Sequence, residues 1–222
     1  MSQIKVIDLG IIEYSSAFEK QKELFDDNIR KKNQAKETAN TLIVCEHPHI
    51  YTLGKNGDEN NLLVNSEFLN RVGATYFQTD RGGDITYHGP GQIVIYPIFD
   101  LDNFGIGTRN FIMKMEYAII DILKEYNIEG QTYEKYIGVW IEPLQATERK
   151  ICAIGVKVSK GITMHGLALN VNTDLSYFEH INPCGFTNKG VTSIKKELGK
   201  DIDYKEVKNI LIEKLIQKFN NH

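Results

Sequence analysis

The sequence predicts one α+β domain spanning residues 1–222. Three observations predict it: short apolar runs of strand type cluster along the chain, only two or three long amphipathic helices stand among them, and no linker, repeat or low-complexity segment divides the 222 residues. Taken in order, residues 4–9 read as a strand, and residues 14–36 as a helix, with Phe18, Leu24, Phe25 and Ile29 at helical spacing. Residues 41–45 and 49–53 are short strands of buried type, and 54–61 is loop chemistry rich in Gly, Asn and Asp. Ser66 is placed to cap a short helix through Arg71, followed by a strand at 74–77. Residues 92–96 read as a strand apolar on both faces. Thr108 then caps a strong helix striped by Phe111, Ile112, Met115, Ile119, Ile122 and Tyr126. Strands follow at 139–141, 151–158 and 162–171, and a last helix runs over 203–219 with Tyr204, Val207, Leu211 and Leu215 inward.

Composition narrows the class. With 41% hydrophobic and 10% aromatic residues the chain is too apolar for a disordered one, and a domain of this size buries roughly 70% of its unfolded surface without disulfides. A net charge of −3 and a pI near 6.1 give no reason to expect nucleic acid as a partner. Three widely spread cysteines argue against a disulfide framework and for a reducing compartment. The start lacks signal-peptide regions and no apolar run reaches membrane-spanning length, so a cytoplasmic protein with no membrane partner is expected.

Simple arithmetic applies to the strands flanking Lys160-Gly161. If these two residues form a tight hairpin turn, cross-strand partners sum to 321. Ala153 then faces Ala168 and Gly155 faces Gly166, so four small residues share one sheet face while Ile154, Val156 and Val158 point to the other. Glycine weakens a strand unless something must approach its backbone. That something is either a packed element of the chain itself or an elongated apolar ligand lying on a smooth floor.

The densest segment is Arg81-Gly82-Gly83-Asp84-Ile85-Thr86-Tyr87-His88-Gly89-Pro90-Gly91-Gln92. Glycines let a backbone approach a ligand, Arg brings rigid donors, and Tyr and His combine apolar faces with polar tips. It is neither a Walker loop, lacking Gly-Lys-Ser/Thr, nor a dinucleotide fingerprint. Among the cysteines, Cys45 and Cys152 sit in apolar runs and read as core. Cys184 differs: Pro183 and Gly185 set it on a shaped turn. A free thiol is only a few per cent thiolate at neutral pH, so a nearby cation would activate it, and Lys150, His88 and His165 are candidates. Cys45, His47 and His49 alternate as soft ligands would, but Pro48 interrupts the strand and no fourth ligand is near, so no metal is expected. His180 and His222 show no partner pattern and read as exposed.

Together, residues 81–88 followed by Gly91-Gln92 and Tyr96 resemble the signature of the lipoyl(octanoyl) transferases. Lys150-Ile151-Cys152-Ala153-Ile154-Gly155, the segment from His165 to Asn172, and Asn182-Pro183-Cys184-Gly185 agree in order and spacing, as do Glu46-His47-Pro48 and Thr52-Leu53-Gly54 upstream. The resemblance implies a fold like the biotin and lipoate protein ligases: a mixed sheet flanked by helices, plus a smaller sheet. It implies transfer of an octanoyl group from octanoyl-acyl carrier protein to a specific lysine of lipoyl domains, those of 2-oxoacid dehydrogenase complexes and of the glycine cleavage H protein. It assigns Cys184 as the acyl-thioester nucleophile and Lys150 as its partner. Substrate contacts fall on Arg81, Gly82, Gly83, Asp84, Ile85, Thr86, Tyr87 and His88, on Ala153, Ile154 and Gly155, and on Gly166, Leu167 and Ala168, with His165 in support. No cofactor is expected, neither ATP nor metal, because the donor thioester carries the activation. A monomer is expected.

Strict strand alternation sets Lys150 on the face opposite Ala153 and Gly155, so the dyad predicts a bend or bulge at the start of that strand. A smooth floor also predicts that Val at Gly155 or Gly166 leaves a folded protein that rejects an eight-carbon chain. Two basic clusters, Arg30-Lys31-Lys32 with Lys36 and Lys195-Lys196 with Lys200, are candidate docking patches for an acidic carrier, or else solvated faces. The rival readings are an ATP-dependent ligase on the same fold, an octanoyl amidotransferase acting between lipoyl domains, and a non-catalytic acyl-binding protein.

Overall fold

The computed structural model describes residues 3–134, 136–182 and 190–221. Its strands, in chain order, are β1 (Ile4–Ile11), β2 (Asn40–Glu46), β3 (Ile50–Leu53), β4 (Thr75–Gln78), β5 (Thr86–His88), β6 (Gln92–Ile98), β7 (Gly130–Thr132), β8 (Val139–Ile141), β9 (Arg149–Ser159), β10 (Ile162–Asn170) and β11 (Gly190–Val191). The helices are α1 (Tyr14–Asn33), α2 (Ser66–Arg71), α3 (Thr108–Glu125), α4 (Ile194–Leu198) and α5 (Tyr204–Asn220).

Eight strands make one mixed sheet, ordered β1-β2-β6-β10-β9-β8-β7 with β11 beside β9, and β4-β3-β5 make a smaller one. The large sheet is antiparallel from β2 to β7, while β1 and β11 add parallel pairs at β2 and β9. Helices cover both its faces. On one, α3 and α5 bury Phe111, Met115, Ile119, Ile122, Leu211 and Leu215 against Leu42, Ile93, Leu167 and Leu169. On the other, Tyr14, Ala17 and Phe25 of α1 pack on Ile43, Val94, Met164 and Ala168. The small sheet has its own cluster around Tyr51, Leu53 and Tyr87. This is the α+β class that the strand and helix patterns predict. Among the described residues no helix is long and apolar enough to cross a membrane.

Two helix starts differ from the sequence expectation. The cap of α2 is Asn65, whose side chain accepts the N–H of Phe68, one residue before the expected Ser66. Gly107, not Thr108, caps α3, and no side chain bonds there; tertiary burial of the stripe sustains the helix start without that bond. Asp203 caps α5 by accepting from the N–H groups of Lys205 and Glu206. Of the four strands of two or three residues, the apolar β8 is legible in the sequence, while β5, β7 and β11 carry too little pattern to be read.

Candidate functional site

The hairpin β9–β10 forms with the predicted register: Gly155 pairs Gly166 and Ala153 pairs Ala168. Its turn residues, Lys160 and Gly161, both have positive φ, 50° and 79°, as the two-residue turn requires. Ile154, Val156 and Val158 pack on the α3–α5 core. The small face turns to the other side and floors a cavity of about 110 Å³.

The glycines there serve the chain itself. A Cβ on Gly166 would lie 2.1 Å from the carbonyl oxygen of Ile95, so this glycine lets β6 approach β10. A Cβ on Gly155 would lie 2.9 Å from the Gly82 carbonyl oxygen and 3.3 Å from Cδ of Arg81. The expectation that Val at either position leaves a folded protein is therefore corrected. At Gly166 the obstacle is backbone, which has nowhere to move, and at Gly155 it is the segment above the floor.

That segment is residues 81–84, a strap across the cavity. Beyond Cys152, β8 no longer pairs with β9, and the Gly82 N–H reaches the Val156 carbonyl at 3.0 Å. Arg81, 8% exposed, donates through Nη2 to the carbonyl (2.7 Å) and hydroxyl (3.0 Å) of Thr52, and through Nη1 to the Gly82 carbonyl. Asp84 accepts from its neighbour Ile85 N–H and from Asp58 N–H and Asn61 Nδ2, tying the strap to the 54–61 loop. Every described residue expected at the site lines the cavity except Tyr87. Alternation along β5 explains the exception: Thr86 and His88 face the cavity, while Tyr87 is buried in the small-sheet cluster with its hydroxyl 2.7 Å from His49 Nδ1.

Lys150 reaches the cavity through a bulge. Val139 pairs Cys152 while Trp140 pairs Lys150, leaving Ile151 as the extra residue of β9. Consecutive Ile151 and Cys152 both bury in the α3–α5 core, the parity flips, and Lys150 lines the cavity with Ala153 and Gly155. Its Nζ stands 4.6 Å from the Trp140 ring centroid. Behind it, buried Glu116 accepts the Gly138 N–H at 2.9 Å; burial pushes this carboxyl up, and the backbone bond and the charge of Lys150 pull it back. Gly190–Val191, where the described chain resumes after residue 182, pair with Arg149 and Lys150 and also line the cavity.

Two buried histidines, His88 and His165, line the cavity and a third, His47, packs behind His88; all are held below the ordinary imidazole range chiefly by burial, His88 to about 3. His47 donates from Nδ1 to the Ile12 carbonyl (2.7 Å), so its Nε2 accepts the Tyr96 hydroxyl (2.8 Å). His88 donates from Nδ1 to Oε1 of Gln92 (2.8 Å), and Gln92 in turn donates to Asn170 (2.8 Å). His165 is 1% exposed and departs from alternation. Its φ of 63° turns the ring to the α1 side, where it lies against Phe18 with centroids 5.8 Å apart. A non-glycine residue there costs roughly 1–3 kcal/mol, a strain held at few positions.

Cys45 and Cys152 are buried, with thiols pushed up by burial. Cys184 lies outside the described residues, as does His222. His180, expected to be exposed, is half-buried with Nδ1 2.8 Å from the Tyr51 hydroxyl. In the first basic cluster Arg30 and Lys31 pair with Asp27 and Lys32 with Asp100 and Asp102; in the second, Lys195 pairs with Asp201, so much of the expected positive charge is met within the chain. Tyr14, Gln92, Tyr96, Trp140 and Asn170 line the cavity without having been predicted there. Three of them, Gln92, Tyr96 and Asn170, stood inside the recognised motifs.

The family described as the lipoyl protein ligase A/B catalytic domain matches residues 14–216. An octanoyltransferase of Bacteroides fragilis (strain YCH46) is 51% identical over 209 residues, 94% of this chain and 95% of that protein. A bipartite lipoate protein ligase, solved in a study of an archaeal lipoylation system with its E2 lipoyl domain from Thermoplasma acidophilum, superposes with a TM-score of 0.73 at 16% identity, covering 99% of this chain and 85% of that one. The biotin protein ligase of Aquifex aeolicus superposes with a TM-score of 0.53 at 12% identity, covering 99% and 70%.

Proposed function

The chain belongs to the lipoyl protein ligase A/B catalytic domain family, and we propose that it transfers an octanoyl group from octanoyl-acyl carrier protein to a specific lysine of lipoyl domains through a thioester on Cys184. The observation that carries this reading is the bulge at Ile151, which brings Lys150 to the rim of a small-residue floor beside the strand that follows the Cys184 segment. The octanoyltransferase name of a relative about half identical over nearly the whole chain supports the acyl group.

The steps balance without a cofactor. Lys150 as an ammonium favours the thiolate of Cys184, and a drop of about two pKa units would make most of the thiol ionised at neutral pH. The thiolate attacks the donor thioester carbonyl; the new C–S bond forms as the carrier's C–S bond breaks, and Lys150 gives its proton to the departing thiolate. The amine of Lys150 then takes a proton from the acceptor lysine as that nitrogen attacks, and Cys184 leaves as thiolate. The products are the octanoyl-amide and free carrier thiol. One thioester is exchanged for another, so ATP has no part. Burying about seven methylene or methyl groups at ~0.8 kcal/mol each gives an upper limit near 5–6 kcal/mol for holding the chain. Acceptors would be lipoyl domains of 2-oxoacid dehydrogenase complexes and the glycine cleavage H protein, and the enzyme would act as a monomer in the cytoplasm.

The test is intact-mass spectrometry after incubation with octanoyl-acyl carrier protein. Wild type should gain one octanoyl group without ATP and pass it to a lipoyl domain, and Cys184→Ser should gain none. A requirement for free octanoate plus ATP would assign the chain to ligase chemistry. An octanoylated lipoyl domain serving as the better donor would assign it to amidotransfer.

A further inference from the structure

Asp80 stands just before the Arg81–Gln92 motif, and it joins the strap to the floor. It directly precedes Arg81, at the end of the loop leaving β4. One of its oxygens lies 2.8 Å from Nε2 of His165 on β10, and the other 2.5 Å from Nζ of Lys157 on β9. These two partners, His165 first, hold its carboxyl well below the usual carboxylate range. An ionised carboxylate only accepts, so Nε2 carries the proton of the neutral His165 ring and donates it. Nδ1 is left with a lone pair and no hydrogen-bond partner among the described residues.

The backbone is shaped for this contact. Regular alternation would send the side chain at position 165 to the α3–α5 side with Leu167; the positive φ at His165 turns it instead toward Asp80. The His165 N–H is fixed in that place by Oε1 of Gln21 at 3.0 Å. Lys157, in turn, stands 5.0 Å from the Phe25 ring centroid. With the Gly82–Val156 backbone bond, three attachments from adjacent strands hold the strap above Gly155. The clearance there is narrow, since even a methyl group on Gly155 would crowd Gly82 and Arg81.

We propose that Asp80 and His165 are positioning residues that fix the height of the 81–84 strap over the β9–β10 floor and so limit the length of acyl chain the cavity accepts. The inference rests on the reading of this cavity as the acyl site. Strap and floor are separate elements, and Asp80 ties the start of the strap to the Lys157 ammonium of β9 and the neutral His165 ring of β10. Releasing Asp80 lifts the roof and leaves the floor, Lys150 and the core in place. Longer chains then gain access while the octanoyl group loses contact.

The test compares octanoyl- and dodecanoyl-acyl carrier protein as donors, with the rate of acyl-enzyme formation read by intact-mass spectrometry and the fold checked by thermal denaturation. Asp80→Ala should lower kcat/KM for the octanoyl donor by about tenfold or more, the scale of one lost charge-assisted hydrogen bond, mainly through KM. The ratio of dodecanoyl to octanoyl rates should rise. Asp80→Asn, which still accepts from His165 but loses its charge, should fall between and serves if the alanine variant does not fold. His165→Gln, whose amide still donates to Asp80, should keep the wild-type ratio, and His165→Ala should not. Two results overturn the proposal: an unchanged chain-length ratio in both Asp80 variants, or a His165→Gln variant as impaired as His165→Ala with an altered pH profile of kcat, which would mark the ring as a proton acceptor through Nδ1. A wild-type protein that forms no acyl-enzyme from either donor would instead sink the proposed function itself.

Discussion

The two faces of the β9–β10 hairpin are made by the same residues in alternation and follow opposite rules. Toward α3 and α5, Ile154, Val156, Leu167 and Leu169 meet a continuous apolar core, and an apolar side chain of similar volume would serve. Toward α1, Ala153, Gly155, Gly166 and Ala168 are small for different reasons at each place. Gly166 yields to the backbone of β6 and Gly155 to the strap, while the two alanines leave space that becomes cavity. The first face tests hydrophobicity and volume; the second tests clearance, charge and parity. Lys150 and His165 reach the second face only because the alternation breaks, by a bulge at Ile151 and by a positive φ at His165.

Substitutions on the two faces should therefore fail differently. The largest effect is expected at Lys150: Lys150→Met should lower kcat by about 10²–10⁴-fold, the range of a lost acid–base group, with the melting temperature nearly unchanged. A stability loss as large as the activity loss would erase the distinction between the faces. Gly166→Val should cost more than the ~1–3 kcal/mol of ordinary overpacking, because the clash at 2.1 Å is with backbone, and soluble folded protein should be scarce. Opposite it, Leu169→Ala should lose about 2–5 kcal/mol in chemical denaturation while the folded fraction keeps its kcat.

The histidines sharpen the comparison through pH. His47, His88 and His165 have folded pKa values lowered by burial, so below the ordinary value near 6.5 the unfolded chain binds protons that the folded chain refuses. Stability then falls as pH falls, by up to about 1.4 kcal/mol per pH unit for each such histidine; for His88 this continues down to about 3. Denaturation between about pH 7.5 and 5.5 should show this slope, and His88→Gln should flatten it. A pH-independent midpoint would mean these rings take up protons as readily in the fold as in the unfolded chain. The smallest effect belongs to Cys152→Ser, a buried core change expected to cost about 1–3 kcal/mol and to leave acyl-enzyme formation intact.

Much of this was readable from local pattern. The hairpin register follows from one turn dipeptide, since a two-residue turn and a period of two leave a single pairing, and the need for a bulge at Lys150 follows from parity once the resemblance pairs Lys150 with Cys184. Whether Gly155 and Gly166 make room for a packed element or for a ligand stays open in the sequence, because a sequence does not say what lies above a glycine. The resemblance implies Tyr87 as a contact together with the whole 81–88 motif, and a three-residue strand inside a glycine-rich loop shows no period that would set it apart. Asp80 carries no signal in the sequence because its partners, Lys157 and His165, are 77 and 85 residues away and no spacing rule links them.

By itself the sequence determined the α+β class, the strand pairing about Lys160-Gly161, the core roles of Cys45 and Cys152, and a set of ordered motifs, all of which depend on neighbours within a turn or a strand. Tertiary structure decided what those motifs face: which glycine meets backbone and which meets the strap, which histidines are buried and neutral, and which carboxylate holds the roof. Those outcomes depend on close approach between segments far apart in the chain, and that distance is set only when the helices and both sheets pack.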